Sequence, residues 1–401
     1  MKVKSVIRPL VAMLALAVML PQLCADEILQ PGAAGDVDMS PAVLESGVAL
    51  FRQAIEEDEL CGAVLFVARR GTIVMHEPLG WRDQQAELPM ERDTLFRMAS
   101  NTKPVVAAAI LALAEEGKLR LDDPVSRHLP AFAHERSAGI RIEQLLTHTS
   151  GLRIPTIFLK PLLERSTEHP DAPSLLLEVN RFAPIGADKP PGTSYSYNNP
   201  GYNILGAIVE VVSGQPLEAF LQQRFYGPLA MSDTSHVAAA DKHSRMASVY
   251  KRTKGQWRRT WQPGDPPDYP FVRSSGGMIS TAADYARFCQ MFLCGGTCDG
   301  RQYLSRDSVQ AAIVPHTRSI YSPDEAATRR DFYGYGWSVS VDGVFSHGGS
   351  DGTFAWVDPR RQIVGVVLTQ STGGRNPRQQ FIRVVEAACQ DELKAPVESP
   401  R

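Results

Sequence analysis

The chain has 401 residues, 43% of them hydrophobic and 21% charged, with a net charge of −2, so there is ample apolar material for a core and no basic excess suited to nucleic acid. Its nine histidines are scattered, and neither a C-x-x-C pair nor H-E-x-x-H occurs, so no metal and no cofactor is expected.

Residues 1–25 have the make-up of a secretory signal peptide. Lys2, Lys4 and Arg8 precede an apolar run from Leu10 to Leu20, and Leu23-Cys24-Ala25 offers a cleavage site. That run is too short to span a bilayer comfortably. The expectation is an exported protein, periplasmic or secreted, without stable membrane insertion after cleavage. Its net charge would then be −5, because three basic residues leave with the signal. A leader over 26–39 is followed by one domain over 40–395.

Ser40-Pro41 marks the start of a helix running to about Leu60, with Glu56-Glu57-Asp58-Glu59 as its solvated end. Strands over 62–69 and 72–78 meet at Arg70-Gly71 like a hairpin. A short segment, 94–98, leads into an apolar helix over 100–116. The middle of the chain, about 121–240, reads as mainly helical, with pieces at 142–148, 201–213 and 216–225. Further helices follow at 280–293 and 305–314. Alternating or β-branched runs at 335–341, 344–347, 353–357 and 363–369 are strands, and a last helix spans roughly 377–392. Cys294 and Cys298 flank Gly295-Gly296-Thr297 and could close a small disulfide loop. Strands at both ends with helices between them predict an α+β, three-layer fold. Its antiparallel sheet would be flanked by helices, with an inserted, mainly helical subdomain and a site at the seam.

Three stretches carry chemistry. Ser100-Asn-Thr-Lys103 opens the apolar helix, which places a hydroxyl and an amine one turn apart at the helix mouth. A lysine whose pKa is lowered can take the serine proton, and the helix N-terminus favours negative charge beside it. Tyr197-x-Asn199 lies in a loop dense in turn formers, where a phenol near an ammonium can relay a proton and an amide can hold the lysine or the substrate. The third, Phe345-Ser-His347-Gly-Gly349-Ser350-Asp-Gly352, ends a strand, with glycines that let substrate lie close and a backbone N–H at Ser350. Residues 348–352 also match G-x-S-x-G, but a nucleophile elbow needs a helix next, and Thr353-Phe-Ala-Trp-Val reads as another strand, so Ser350 is rejected as a nucleophile.

In this order, Ser100-x-x-Lys103, Tyr197-x-Asn199 and His347-Gly348-Gly349 resemble the serine β-lactamase and penicillin-binding-protein superfamily. The tyrosine version of the second motif is like the class C β-lactamases, the D-Ala-D-Ala carboxypeptidases and related esterases. Connecting segments at 145–152, 227–234, 276–281 and 356–359 match as well, and the resemblance covers roughly 45–390. It implies a Ser100 acyl-enzyme, with Lys103 and Tyr197 sharing the acid–base work. Asn199 and His347 would contact lysine or substrate, and Gly349 and Ser350 would border an oxyanion hole made by the Ser100 and Ser350 N–H groups. His148, in one connector, has a structural role. The departure is His347, where lactamases and peptidases usually have lysine. Histidine is largely neutral at pH 7 and gives a substrate carboxylate no permanent cation. The resemblance thus implies a small-molecule ester, amide or β-lactam-like substrate, with a carboxylesterase leading. A D-Ala-D-Ala carboxypeptidase or weak β-lactamase comes second, and a catalytically idle binding protein on the same scaffold third.

Overall fold

The computed structural model describes residues 29–266 and 269–390. The expected signal peptide and the final residues of the predicted domain lie outside that range. Helix α1 (Pro41–Glu56) starts as its sequence predicts: Pro41 occupies the first turn, and the Ser40 side chain accepts from the Val43 N–H. Strands β1 (Gly62–Arg69) and β2 (Thr72–Asp83) form the expected hairpin, with Arg70 and Gly71 at φ 48° and 75° in the turn. Helix α2 (Thr102–Glu115) is buried on every side through Leu113, the pattern of a helix at the centre of a protein. Helix α3 (Asn199–Ser213) begins two residues earlier than expected, because the Asn198 side chain caps it by accepting from the Gly201 N–H.

A hairpin of β3 (Val249–Thr253) and β4 (Gln256–Trp261) occupies a region to which the sequence assigned no element; Lys254 and Gly255 turn it at φ 53° and 79°. Helix α4 (Ala282–Leu293) follows, capped by Thr281. Five strands of the main sheet follow: β5 (Asp331–Tyr333), β6 (Ser338–Ser340), β7 (Phe345–Gly348), β8 (Phe354–Asp358) and β9 (Ile363–Leu368). The strand predicted over 335–341 is shorter because Gly336, at φ 82°, breaks the extended backbone, and β5 was not anticipated. Helix α5 (Arg378–Ala387) ends the described chain.

The main sheet runs β2-β1-β9-β8-β7-β6-β5, all antiparallel, with Gln30–Pro31 added parallel beyond β2. The two ends of the chain therefore meet at its centre, where β1 pairs with β9 from Arg69 opposite Ile363 to Val64 opposite Leu368. Alternation along β1 divides the core into two. Val64, Phe66 and Ala68 face the layer of α2, α3 and α4, whereas Ala63, Leu65 and Val67 face α1 and α5. Phe51 of α1 meets Phe381 of α5 edge to face at 5.6 Å. On that face Gly365 makes room for Trp356, whose ring carbons lie 2.1–2.2 Å from where a Cβ would stand. This is the three-layer α+β architecture expected, with the helices at Ile142–Leu146, Leu175–Asn180 and α3 inside the inserted stretch.

The Cys294–Cys298 disulfide that the spacing allowed does not form. Cys298 is a thiol in a short strand, Thr297–Cys298, paired with Arg301–Gln302. The Cys294 sulfur turns back along its own helix, accepting from Gln290 Nε2 at 3.3 Å. Among the described residues no single helix is long and apolar enough to cross a membrane.

Candidate active site

Ser100 sits in a single 3-10 turn, Ala99–Asn101, that runs directly into α2, not in the α-helix itself. Ala99 adopts φ 46°, an uncommon conformation for a residue with a side chain. The surroundings hold that turn in place. Thr102 Oγ1 donates to Ala99 O at 2.7 Å, and Asn101 Nδ2 donates to Thr353 Oγ1 at 2.9 Å. Thr353 Oγ1 in turn donates to Met98 O at 3.1 Å. The predicted juxtaposition survives the change of helix type, since Lys103 Nζ lies 2.9 Å from Ser100 Oγ.

Lys103 is fully buried and has three oxygen neighbours: Ser100 Oγ, Asn199 Oδ1 at 2.9 Å and Ser275 O at 2.7 Å. No carboxylate is among them. Burial, and secondarily the charge of Arg273, holds the amine well below the usual lysine range. A neutral amine has two N–H groups and one lone pair. Asn199 Oδ1 and Ser275 O can only accept, so they take both protons and leave the lone pair for the Ser100 hydroxyl.

Tyr197 brings its ring under Lys103, with Nζ 4.8 Å from the ring centroid, and its hydroxyl is near enough to Ser100 for the serine to favour its ionised form slightly. Tyr197 is 43% exposed, but burial pushes its pKa up to about 12, so it is a phenol and not a phenolate at neutral pH. The loop that carries it is fastened to His148. Ser196 N donates to His148 O at 2.9 Å, Asn198 N donates to His148 Nδ1 at 3.2 Å, and the imidazole lies 4.2 Å from the Tyr197 ring. His148 therefore positions the loop, the structural role expected of it.

The third motif differs from expectation. His347 does not present a nitrogen to substrate. Its Nδ1 lies 2.9 Å from Gly348 O, which can only accept, so Nδ1 carries the proton; Nε2 then accepts from Tyr333 O–H at 2.9 Å. Burial and the nearby Lys103 push its pKa down to about 3. Gly349 is not an oxyanion donor either, because its N–H donates to Thr353 O at 2.7 Å. Its contribution is closeness: a Cβ there would lie 2.6 Å from Met98 O and 3.1 Å from Ala99 Cβ. The Ser100 and Ser350 N–H groups, among the described residues, donate to no acceptor in the surrounding turns. Tyr195, Tyr197, Tyr333, His347 and Phe354 line an open groove of about 540 Å³ on this side.

Burial of His347 and His148 in neutral form has a consequence for stability. Each binds a proton in the unfolded chain near pH 6.5 but resists it when folded. The stability they contribute is complete above that pH and is lost as the pH falls below it, down to about 3 for His347. His347 alone is expected to cost about 2 kcal/mol between pH 7 and 5. Urea midpoints at the two pH values, for the unmodified protein and for His347→Gln, measure it; an equal fall in both proteins would remove His347 as the cause.

Some functional contacts were not foreseen. Ser275 acts through its carbonyl, so its side-chain type carries no signal, although the Gly276-Gly277 pair beside it marks a tight turn. Its N–H donates to Asn203 Oδ1 at 3.1 Å, which ties the turn to α3. Tyr333 lies in the unanticipated β5, 14 residues before its partner His347.

The beta-lactamase family model matches residues 48–388. An uncharacterized protein of Mycobacterium tuberculosis is 32% identical over 367 residues, covering 82% of this chain and 90% of its own. Esterase EstB of Burkholderia gladioli is 39% identical over 201 residues, covering 48% of this chain and 51% of its own. Among solved structures, EstCE1, a hydrolase with promiscuous acyltransferase activity, superposes with a TM-score of 0.70 at 24% identity, over 87% of this chain and 99% of that one.

Proposed function

This chain belongs to the beta-lactamase family and is a serine hydrolase, and on that premise we propose that it is an exported carboxylesterase acting on small esters through a Ser100 acyl-enzyme. Neutral Lys103 takes the Ser100 proton as Oγ bonds to the ester carbonyl carbon. The carbonyl oxygen, now negative, is held by the Ser100 and Ser350 N–H groups. Tyr197, a phenol at working pH, donates its proton to the departing alkoxide and is reprotonated from Lys103. Water then repeats the sequence, and the carboxylic acid leaves with Ser100 restored. Asn199 fixes the lysine throughout.

One observation carries the choice of esters over β-lactams: both His347 nitrogens are occupied by Gly348 and Tyr333, so the third motif offers no cation to a substrate carboxylate. The esterase among the relatives supports the same reading, and export is supported by the basic and apolar N-terminal sequence. The test is a panel of p-nitrophenyl butyrate, a chromogenic cephalosporin and a D-Ala-D-Ala peptide, with mass spectrometry of the Ser100 peptide after quenching. Ester hydrolysis is expected to exceed cephalosporin hydrolysis in kcat/KM by about 10- to 100-fold, since a missing ionic contact costs about 1.5–3 kcal/mol. Dominant cephalosporin turnover would reverse the assignment. An unlabelled Ser100 with no turnover would leave an idle scaffold.

A further inference from the structure

A second cavity, of about 600 Å³, is lined by Arg97, Gly276 and Met278, which lie beside the turn that carries Ser100, and shares no lining residue with the groove that His347 lines. Its walls are mostly apolar and aromatic, with Trp261, Tyr269, Phe271 and Met278 prominent. Two guanidinium groups stand among them. Arg97 lies 4.9 Å from the Trp261 ring and pairs with Asp351 at 3.6 Å, so its charge is partly met. Arg273 stacks at 4.6 Å on Tyr269 and, among the described residues, makes no ion pair. Asp265, the acidic residue on the wall, accepts from Gln262 N within its own turn.

Gly276 sets how near Arg273 comes to the reacting serine. A Cβ on residue 276 would be 3.0 Å from Arg273 Nη2 on one side and 3.5 Å from the Ala99 carbonyl carbon on the other. Gly276 is thus close to both the guanidinium and the peptide bond that precedes Ser100. The cavity has a second unanswered polar group. His236 Nδ1 is held by Glu218 Oε2 at 2.6 Å, while Nε2, in a side chain with no exposed surface, has no hydrogen-bond partner among the described residues. His236 lines the same cavity, next to Gly277. A guanidinium and a buried imidazole nitrogen without partners, set in an aromatic chamber, are what an acidic group on an apolar chain would satisfy.

We propose that this cavity binds the acyl half of the substrate and selects a chain that ends in a carboxylate, with Arg273 as the anion-recognising residue: the preferred substrates are half-esters of dicarboxylic acids. The proposal rests on the esterase reading for its chemistry, which stays the acyl transfer to Ser100 given above. It adds which acyl groups enter. The anion is met by Arg273 on the acyl side and not by the third motif, where His347 has no nitrogen to offer.

The test compares mono-p-nitrophenyl suberate with p-nitrophenyl octanoate, which share a leaving group and chain length and differ in the terminal carboxylate. In the unmodified protein kcat/KM is expected to favour the suberate by about 30-fold, the worth of a charge-assisted hydrogen bond. In Arg273→Gln that ratio is expected to fall to near unity, and Arg273→Lys should restore part of it. Using the ratio cancels any effect the substitution has on both substrates alike. A ratio unchanged in Arg273→Gln, or a preference for octanoate in the unmodified protein, overturns the proposal. Binding of free suberate, followed by calorimetry, separates this idea from the esterase reading. Suberate binding lost in Arg273→Gln without ester turnover would sink the chemistry and keep the site, whereas turnover without suberate binding would do the reverse.

Discussion

Replacing Lys103 with methionine is expected to lower kcat/KM for ester hydrolysis by about 10⁴-fold, close to the cost of Ser100→Ala. Methionine keeps the length and apolar stem of lysine in a position with no exposure, so the loss is chemical and not a collapse of packing. The Ser100 hydroxyl then has no lone pair to receive its proton, because Tyr197, a phenol with a pKa of about 12, is already protonated. Ser100 and Lys103 act as one unit, so the double variant is expected to be no slower than either single one. The acid side of the pH profile gives an independent reading. Lys103 must be neutral to work, so kcat/KM rises with pH through its lowered pKa. Arg273 contributes to that lowering, and Arg273→Gln is therefore expected to move the acid limb to higher pH. A loss of less than tenfold in Lys103→Met would transfer the base role to Tyr197.

How much of this could be read from the chain depends on whether a residue acts through its type or through its placement. Ser100, Lys103, Tyr197 and Asn199 act through their side chains at short, ordered spacings, and the structure brings all four within contact. The sheet was legible for the same kind of reason: β1, β8 and β9 are apolar runs bounded by turn residues, and each lies where alternation put it. The misses have a common cause. His347 lines the groove and is neutral, as read, but its protonation pattern is set by Tyr333 and by a carbonyl, neither of which a motif records. Gly349 was read as a residue that leaves space, and it does; what no motif records is that its amide is spent on Thr353 O. The β3–β4 hairpin has charged residues between its apolar ones, and it is stabilised by pairing with Ser371–Thr372, more than 100 residues away. Cys294 and Cys298 had suitable spacing, but a helix end and a strand aim their sulfur atoms differently.

That space at residue 349 supports the second large effect. Gly349→Ala is expected to lower kcat by about 10²–10³-fold, with a smaller change in KM, and to cost about 2 kcal/mol in stability. The new methyl would lie 2.2 Å from Thr353 Oγ1 and 2.6 Å from Met98 O. Thr353 Oγ1 cannot turn away without releasing Asn101 Nδ2 and Met98 O, which together hold the catalytic turn. The Met98 carbonyl is backbone and yields only if that turn moves. The strain is therefore relieved by displacing residues 349 and 350, and the Ser350 N–H moves with them, away from the oxyanion role proposed for it. An oxyanion donor acts on charge that exists only in the transition state, which is why the loss falls on kcat. Thr353→Ala in the same chain would remove the nearer clash and leave the Met98 one, so it is expected to restore stability in part and kcat hardly at all. Gly35→Ala, where a Cβ meets nothing within 4 Å, serves as the reference for a harmless methyl. A kcat for Gly349→Ala within threefold of the unmodified enzyme would mean that Ser350 plays no part in holding the oxyanion.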